Sequence, residues 1–255
     1  FDIMKDVVSI SSAARMKEKL KRRWPLNEAK ICVKKGQKIK LETLSELLQS
    51  QLNVEKFTIV ETEQESGLEQ ILELKQLGLP VKPVVELERK RIGPKAKQHM
   101  GKLVTTFSET NPEEIILALQ KEQKYDFKID EEIISLENED FIVDFDASEN
   151  FAMAKRDNYT VFISTLRNQE MMAKGLIKDV ARRLQTLRKE RGYNPTDILE
   201  TASILDLDKE SLEMIKDKTK DLAFLVRVKQ VNFTESCKEY KDDDIDGQKI
   251  RISVE

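Results

Sequence analysis

The sequence predicts an α+β protein in which long basic helices pack on mixed or antiparallel sheets, organised as two to three subdomains. Length is the first observation behind this expectation, because 255 residues exceed one average domain. The second is periodicity, since apolar residues at helical spacing alternate along the chain with short runs of period two. The third is composition: with 39% hydrophobic and 36% charged residues the chain can build cores and keep a charged surface.

The opening segment, Met4 to about Trp24, places Val7, Ile10, Ala14, Leu20 and Trp24 on an approximate helical period and is stopped by Pro25, so one long helix is expected. A short strand over 31–33 leads through Gly36 to a helix striped by Leu41, Leu44, Leu48 and Leu52. A strand over 54–60 follows. Ser66 and Glu69 then have the spacing of a capping box, and Gly78 and Pro80 supply the stop before a strand over 81–87. Asn111, Pro112 and Glu114 mark the start of another helix. Four alternating segments, 125–130, 133–137, 141–146 and 159–164, are expected to form an antiparallel meander. A helix from about Asn168 to Arg191 ends at Gly192, a strand covers 198–205, two short helices lie within 208–226, and a last strand covers 249–254. The division expected from this pass is 1–30, 31–90 and 91–255.

The net charge is only −3, but the charges are segregated. Residues 15–40 hold eleven Lys and Arg against Glu18 and Glu28; residues 89–102 hold six and no acid; residues 174–191 hold seven against two acids. The counterweight is a run over 130–149 with nine Asp and Glu, and a cluster of Asp242, Asp243, Asp244 and Asp246. Both acidic stretches are expected to be solvated surface.

Few enzymatic chemistries find their residues here. The eight glycines show neither phosphate-loop nor dinucleotide spacing. His99 is the sole histidine and sits in a basic stretch without a patterned partner; Cys32 and Cys237 lack metal-ligand spacing. No catalytic, cofactor or metal site is expected within the chain. No apolar run approaches a membrane span, and two isolated cysteines suit a reduced, cytoplasmic protein. A start at Phe1, without an apolar leader, is expected of a piece of a longer chain.

The helix over 174–191 carries more information. Ile177, Val180, Leu184 and Leu187 form an apolar stripe, while Lys178, Arg182, Gln185 and Lys189 recur at four, three and four residues on the opposite side. Such a row is either a solvated face or a grip for a phosphate backbone, which needs several aligned cations. A second cluster, Arg15, Lys17, Lys19, Lys21, Arg22 and Arg23, lies beside Trp24, which either anchors a core or stacks on an unpaired base.

These residues carry a resemblance. Val7 through Arg15, followed by Leu20-Lys21-Arg22-Arg23-Trp24-Pro25-Leu26, resembles the end of the anticodon-binding helical domain of isoleucyl-tRNA synthetases, where the pattern is close to R-x-x-x-x-x-L-K-x-R-x-P-L. Ala181 through Glu190, with Arg182, Arg183, Gln185, Arg188 and Lys189, is similar to that family's R-R-I-Q-x-L-R-K segment, and Ile92-Gly93-Pro94-Lys95 to its L-G-P-K. The archaeal and eukaryotic branch fits best, because bacterial members commonly end in a cysteine-rich zinc module. Three places depart from the pattern: Trp24 stands for a usual Gln, Lys178-Asp179 for an Arg-Glu pair, and Ile198 follows Asp197 where Arg is usual.

The resemblance implies a C-terminal region that holds the anticodon arm of the isoleucine tRNA through Arg15, Lys21, Arg22, Arg23, Trp24, Lys178, Arg182, Arg183, Gln185, Arg188 and Lys189. The partners implied are that tRNA and the rest of the synthetase chain. Isoleucine ligation, with ATP and magnesium, would belong to the full-length enzyme, whose H-I-G-H and K-M-S-K-S motifs are absent here. The rival readings are the equivalent region of a valyl- or leucyl-tRNA synthetase, and a domain-docking module that binds no RNA.

Overall fold

A computed structural model describes residues 2–157 and 159–255. It has the expected α+β class and divides into two compact units, one comprising residues 1–17, 29–48 and 57–164, the other residues 18–28, 49–56 and 165–255. The boundaries anticipated near residues 30 and 90 fall inside regular elements, a strand and a helix.

The first unit contains α1 (Asp2–Lys17), β1 (Leu26–Lys34), α2 (Lys38–Glu42), α3 (Ser45–Leu52), β2 (Val54–Thr62), α4 (Gly67–Gln76), β3 (Val81–Leu87), α5 (Arg89–Ala96), α6 (Met100–Glu109), α7 (Pro112–Glu122), β4 (Lys124–Ile129), β5 (Glu132–Glu137), β6 (Phe141–Ala147), β7 (Phe151–Arg156) and β8 (Tyr159–Ser164); the division between units passes through β1, α3 and β2. A four-stranded sheet has the order β2-β1-β8-β7, with β8 antiparallel to both neighbours and Ile163 opposite Ala29 on one side and Ala152 on the other. Cys32, Met153 and Phe162 point to one face, into a cluster with Ile71, Leu74, Ile115, Leu119 and Phe127. Alternation turns Ala154, Val161 and Ile163 to the opposite face, for α1, whose Met4, Val7, Ile10 and Ala14 are buried.

Several expectations are corrected in this unit. The first helix ends at Lys17 rather than near Trp24, because Lys19 takes a left-handed conformation (φ 54°) and residues 18–25 form a looped segment. Ser66 makes no side-chain cap to α4. The carboxylate of Glu73 instead accepts the Glu63 and Gln64 N–H groups at 3.0 Å, and the Thr62 hydroxyl. The cap on α7 forms as anticipated, with Glu113 N–H donating to Asn111 Oδ1 at 3.0 Å. No meander exists. β4 and β5 form a separate hairpin, β6 pairs with β3 from Val81↔Ala147 to Leu87↔Phe141, and β8 joins β1 and the unanticipated β7. The break comes at residues 138–140. There Asp140, 1% exposed, accepts the Glu137 N–H at 2.8 Å and pairs with Lys95 of α5, turning the chain away from β5. The acidic run is thus not simply solvated: it neutralises the basic stretch through Arg91–Glu139, Lys95–Asp140 and Lys102–Asp130.

Cys32 is buried, and desolvation, helped by the charge of Glu73, pushes its thiol up to about 12. Cys237 is partly exposed. Because the thiolate is the nucleophile, an alkylating reagent at neutral pH should add once to the folded chain, at Cys237, and twice in denaturant. Intact mass and peptide mapping check this.

The second unit contains α8 (Gln169–Glu190), β9 (Leu199–Leu205), α9 (Lys209–Ile215), α10 (Thr219–Val226), β10 (Val228–Asn232), β11 (Lys241–Ile245) and β12 (Gln248–Val254). Its sheet has the order β10-β9-β12-β11; β10 is parallel to β9 after the helical crossover, and β12 is antiparallel to both β9 and β11. Asn168 caps α8 by accepting the Met171 N–H at 2.8 Å. The anticipated stripe, Ile177, Val180, Leu184 and Leu187, packs with Ala202, Ile204, Ile250 and Ile252 in the core of this unit. β10 and β11 were not expected: each has only five residues, and the Asp-rich sequence of β11 hides its alternation.

Candidate nucleic-acid interface

Ten of the eleven residues singled out lie in the second unit; Arg15 belongs to the first. Arg15 is 3% exposed, so it is part of the interior beneath α1 and not of a phosphate-binding surface. The remaining ten fall into three groups with different work to do.

The first group is organised by Asp179, which the outward-facing reading of α8 overlooked. Its side chain is wholly buried and gathers the loop over 18–25. Arg23 Nε donates to Oδ1 at 2.8 Å, Lys21 Nζ to Oδ2 at 2.9 Å, and the Trp24 indole N–H to Oδ2 at 2.8 Å. Burial pushes this carboxyl up, but the hydrogen bonds from Trp24, Lys21 and Arg23, with the charge of Lys21, outweigh it and hold Asp179 below the usual carboxylate range. Lys21 also pairs with Asp246. Trp24 lies flat over the helix at Gly175, one turn before Asp179: a Cβ at Gly175 would stand 2.5 Å from the indole ring. The guanidinium of Arg167 lies 5.1 Å from that ring. Trp24 is therefore a packed anchor in this structure, and Lys21 and Arg23 have their charges matched.

The second group is spent on internal geometry. Arg188, 5% exposed, donates from Nη1 to the carbonyls of Val226 (2.6 Å) and Arg227 (2.8 Å), and from Nη2 to those of Asn194 (3.2 Å) and Asp197 (2.7 Å). Gln185 donates to the Leu225 carbonyl at 2.8 Å. Arg183 donates to the Asp244 carbonyl and faces Asp243 at 3.4 Å, so the second acidic cluster is partly matched as well.

The third group lies at the surface. Arg22, Lys178, Arg182 and Lys189 are exposed. Arg22, Arg182 and Lys189 form no ion pair among the described residues, and Lys178 donates to Asn53 Oδ1 at 3.3 Å. Asn53 also donates to the Arg22 carbonyl at 3.0 Å, which sets the loop cation beside the helix row. Three cations, Lys178, Arg182 and Lys189, thus share one side of a rigid helix, with the loop backbone of Arg22 held beside them and the apolar stripe opposite fixed in the core. Such a surface binds polyanions by neutralising phosphates. Sequence spacing revealed this row; it did not reveal Asn53 as the bridge, because that contact spans 125 residues.

Among the described residues no three His, Cys, Asp or Glu side chains are grouped to hold a metal ion. No helix among the described residues is long and apolar enough to cross a membrane.

No family model matches the chain. Curated proteins do. An isoleucine–tRNA ligase of Methanocella arvoryzae is 27% identical over 263 residues, covering 100% of this chain and 22% of its own length. One from Clostridium kluyveri is 26% identical over 98% of the chain, and one from Saccharolobus solfataricus 25% identical over 100%, covering 22% and 24% of their lengths. The relatives include a bacterial protein as well as archaeal ones, so the likeness is wider than the archaeal and eukaryotic branch. From end to end, the chain corresponds to one segment of the isoleucine–tRNA ligases.

Proposed function

We propose that this chain is the tRNA-holding C-terminal region of an isoleucine–tRNA ligase and that it grips the anticodon arm without catalysing ligation itself. The observation that supports this most is the exposure of Arg22, Arg182 and Lys189, which make no ion pair among the described residues, beside the exposed Lys178, while neighbouring cations are neutralised by Asp179, Asp243 and Asp246. A surface that served only solubility would have no need to keep Arg22, Arg182 and Lys189 without ion pairs among the described residues. The full protein would charge its tRNA with isoleucine, and the parts that handle ATP and magnesium would lie outside this segment.

Affinity for tRNA should fall linearly on a logarithmic salt scale, with a slope of about −0.7 to −0.9 per phosphate neutralised. Arg182→Ala and Lys189→Ala should each weaken binding and make that slope shallower by about 1, whatever the anticodon. Titrations at several salt concentrations measure both; variants that bind with the parent slope would count against the row as the grip.

A further inference from the structure

We infer that a groove at the end of α8 takes one unpaired nucleotide of the bound RNA, an assignment that rests on the tRNA reading above and adds a site to it. The groove has a volume of about 440 Å³ and is lined by Gln185, Arg188, Lys189, Tyr193, Pro195, Leu225, Val226 and Arg227, all in the second unit.

Its construction explains why it persists. One wall is the turn after α8, where Gly192 is left-handed (φ 79°) and Tyr193 N–H returns to the Arg188 carbonyl at 3.1 Å. The other wall is the end of α10, where Arg227 is left-handed (φ 57°). Arg188 clasps both, through the carbonyls of Asn194 and Asp197 on one side and of Val226 and Arg227 on the other. Gln185 fixes the Leu225 carbonyl at 2.8 Å.

The lining selects the occupant. It contains three cations and no carboxylate, and the buried guanidinium of Arg188 meets only neutral carbonyls. Lys189 and Arg227 are exposed at the rim without ion pairs among the described residues. Tyr193, Pro195 and Leu225 complete the lining, and the residue of α10 that precedes Leu225, Phe224, is 83% exposed. Flat apolar surface bordered by cations suits a base with its phosphates. An apolar peptide would leave the cations unanswered, and a paired helix would keep its bases from the ring. Lys189 is shared with the helix row, so the strand that follows the row arrives at the groove.

The test uses the whole chain and two RNAs of equal phosphate count, a hairpin with a seven-nucleotide loop and a fully paired duplex. Stacking of one base contributes about 1–3 kcal/mol, so the hairpin should bind roughly 5- to 150-fold more tightly. Tyr193→Ala should abolish that preference and leave duplex affinity unchanged. Because Tyr193 also touches the core, Arg227→Asn, which suits a left-handed position, provides a second variant and should reduce the preference with folding intact. Equal affinity of the parent chain for the two RNAs, or a preference that survives both variants, overturns the groove assignment while salt-dependent tRNA binding stands. Failure to bind either RNA overturns the tRNA reading and the groove with it.

Discussion

Replacing Arg188 by Ala should cost about 3–5 kcal/mol, the largest loss expected of any single cation in the chain. The change strips four buried or half-buried carbonyls, those of Val226, Arg227, Asn194 and Asp197, of their donor at once. It also removes a side chain that is 5% exposed and leaves a cavity between two turns. Arg188→Lys should rescue little, because one ammonium cannot reproduce a planar fork that reaches carbonyls on both sides. Arg182→Ala, six residues earlier on the outward side, should cost less than about 0.5 kcal/mol. Denaturant unfolding of the three variants checks the ordering. Equal stability of Arg188→Ala and Arg182→Ala would mean that the clasp does not hold the second unit together.

Asp179→Asn should free the loop over 18–25, at a cost of about 2–3 kcal/mol, because a neutral amide cannot hold two cations and an indole N–H as a carboxylate does. Lys21 and Arg23 keep partial access to water, which limits the loss. Trp24 is the only tryptophan, so its fluorescence reports on this contact alone. Its emission should shift to the red in the variant at every pH. In the parent chain the carboxyl is held below its ordinary value, so its stabilising contribution is complete above the unfolded value of about 3.9 and is lost as pH falls through the folded one. The emission should therefore be constant from pH 8 to about 4 and move to the red only below that. A shift near neutral pH, or none in Asp179→Asn, would contradict the assignment.

The parts legible in the sequence are those written in local spacing. The stripe of α8 and the cations opposite it follow from periodicity over a few turns, and Asn168, Asn111 and Gly192 mark their helix ends by chemistry confined to one turn. What stayed hidden is set by distant partners. Arg188 looks like one more member of a cationic row, because its acceptors are backbone carbonyls that leave no trace in residue identity. Asp179 meets residues 155 to 158 positions away. One clue to it was present: Gly175 and Asp179 are a turn apart within an otherwise helix-favouring segment, and a mid-helix glycine marks a close approach, here that of Trp24. The strand order failed for a similar reason. β6 is drawn to β3 by a register that no adjacent turn encodes, and the meander expected from neighbouring segments ignored the Lys95–Asp140 pair that redirects the chain.

The role given to the exposed row is tested most directly by reversing its charge. The triple variant Arg22→Glu, Arg182→Glu, Lys189→Glu alters residues that make no ion pair among the described ones, so its circular dichroism and unfolding midpoint should match the parent chain. Its affinity for tRNA near physiological salt should fall at least about 100-fold, with the salt slope shallower by roughly 2–3. A folded triple variant that binds tRNA as tightly as the parent would contradict the account.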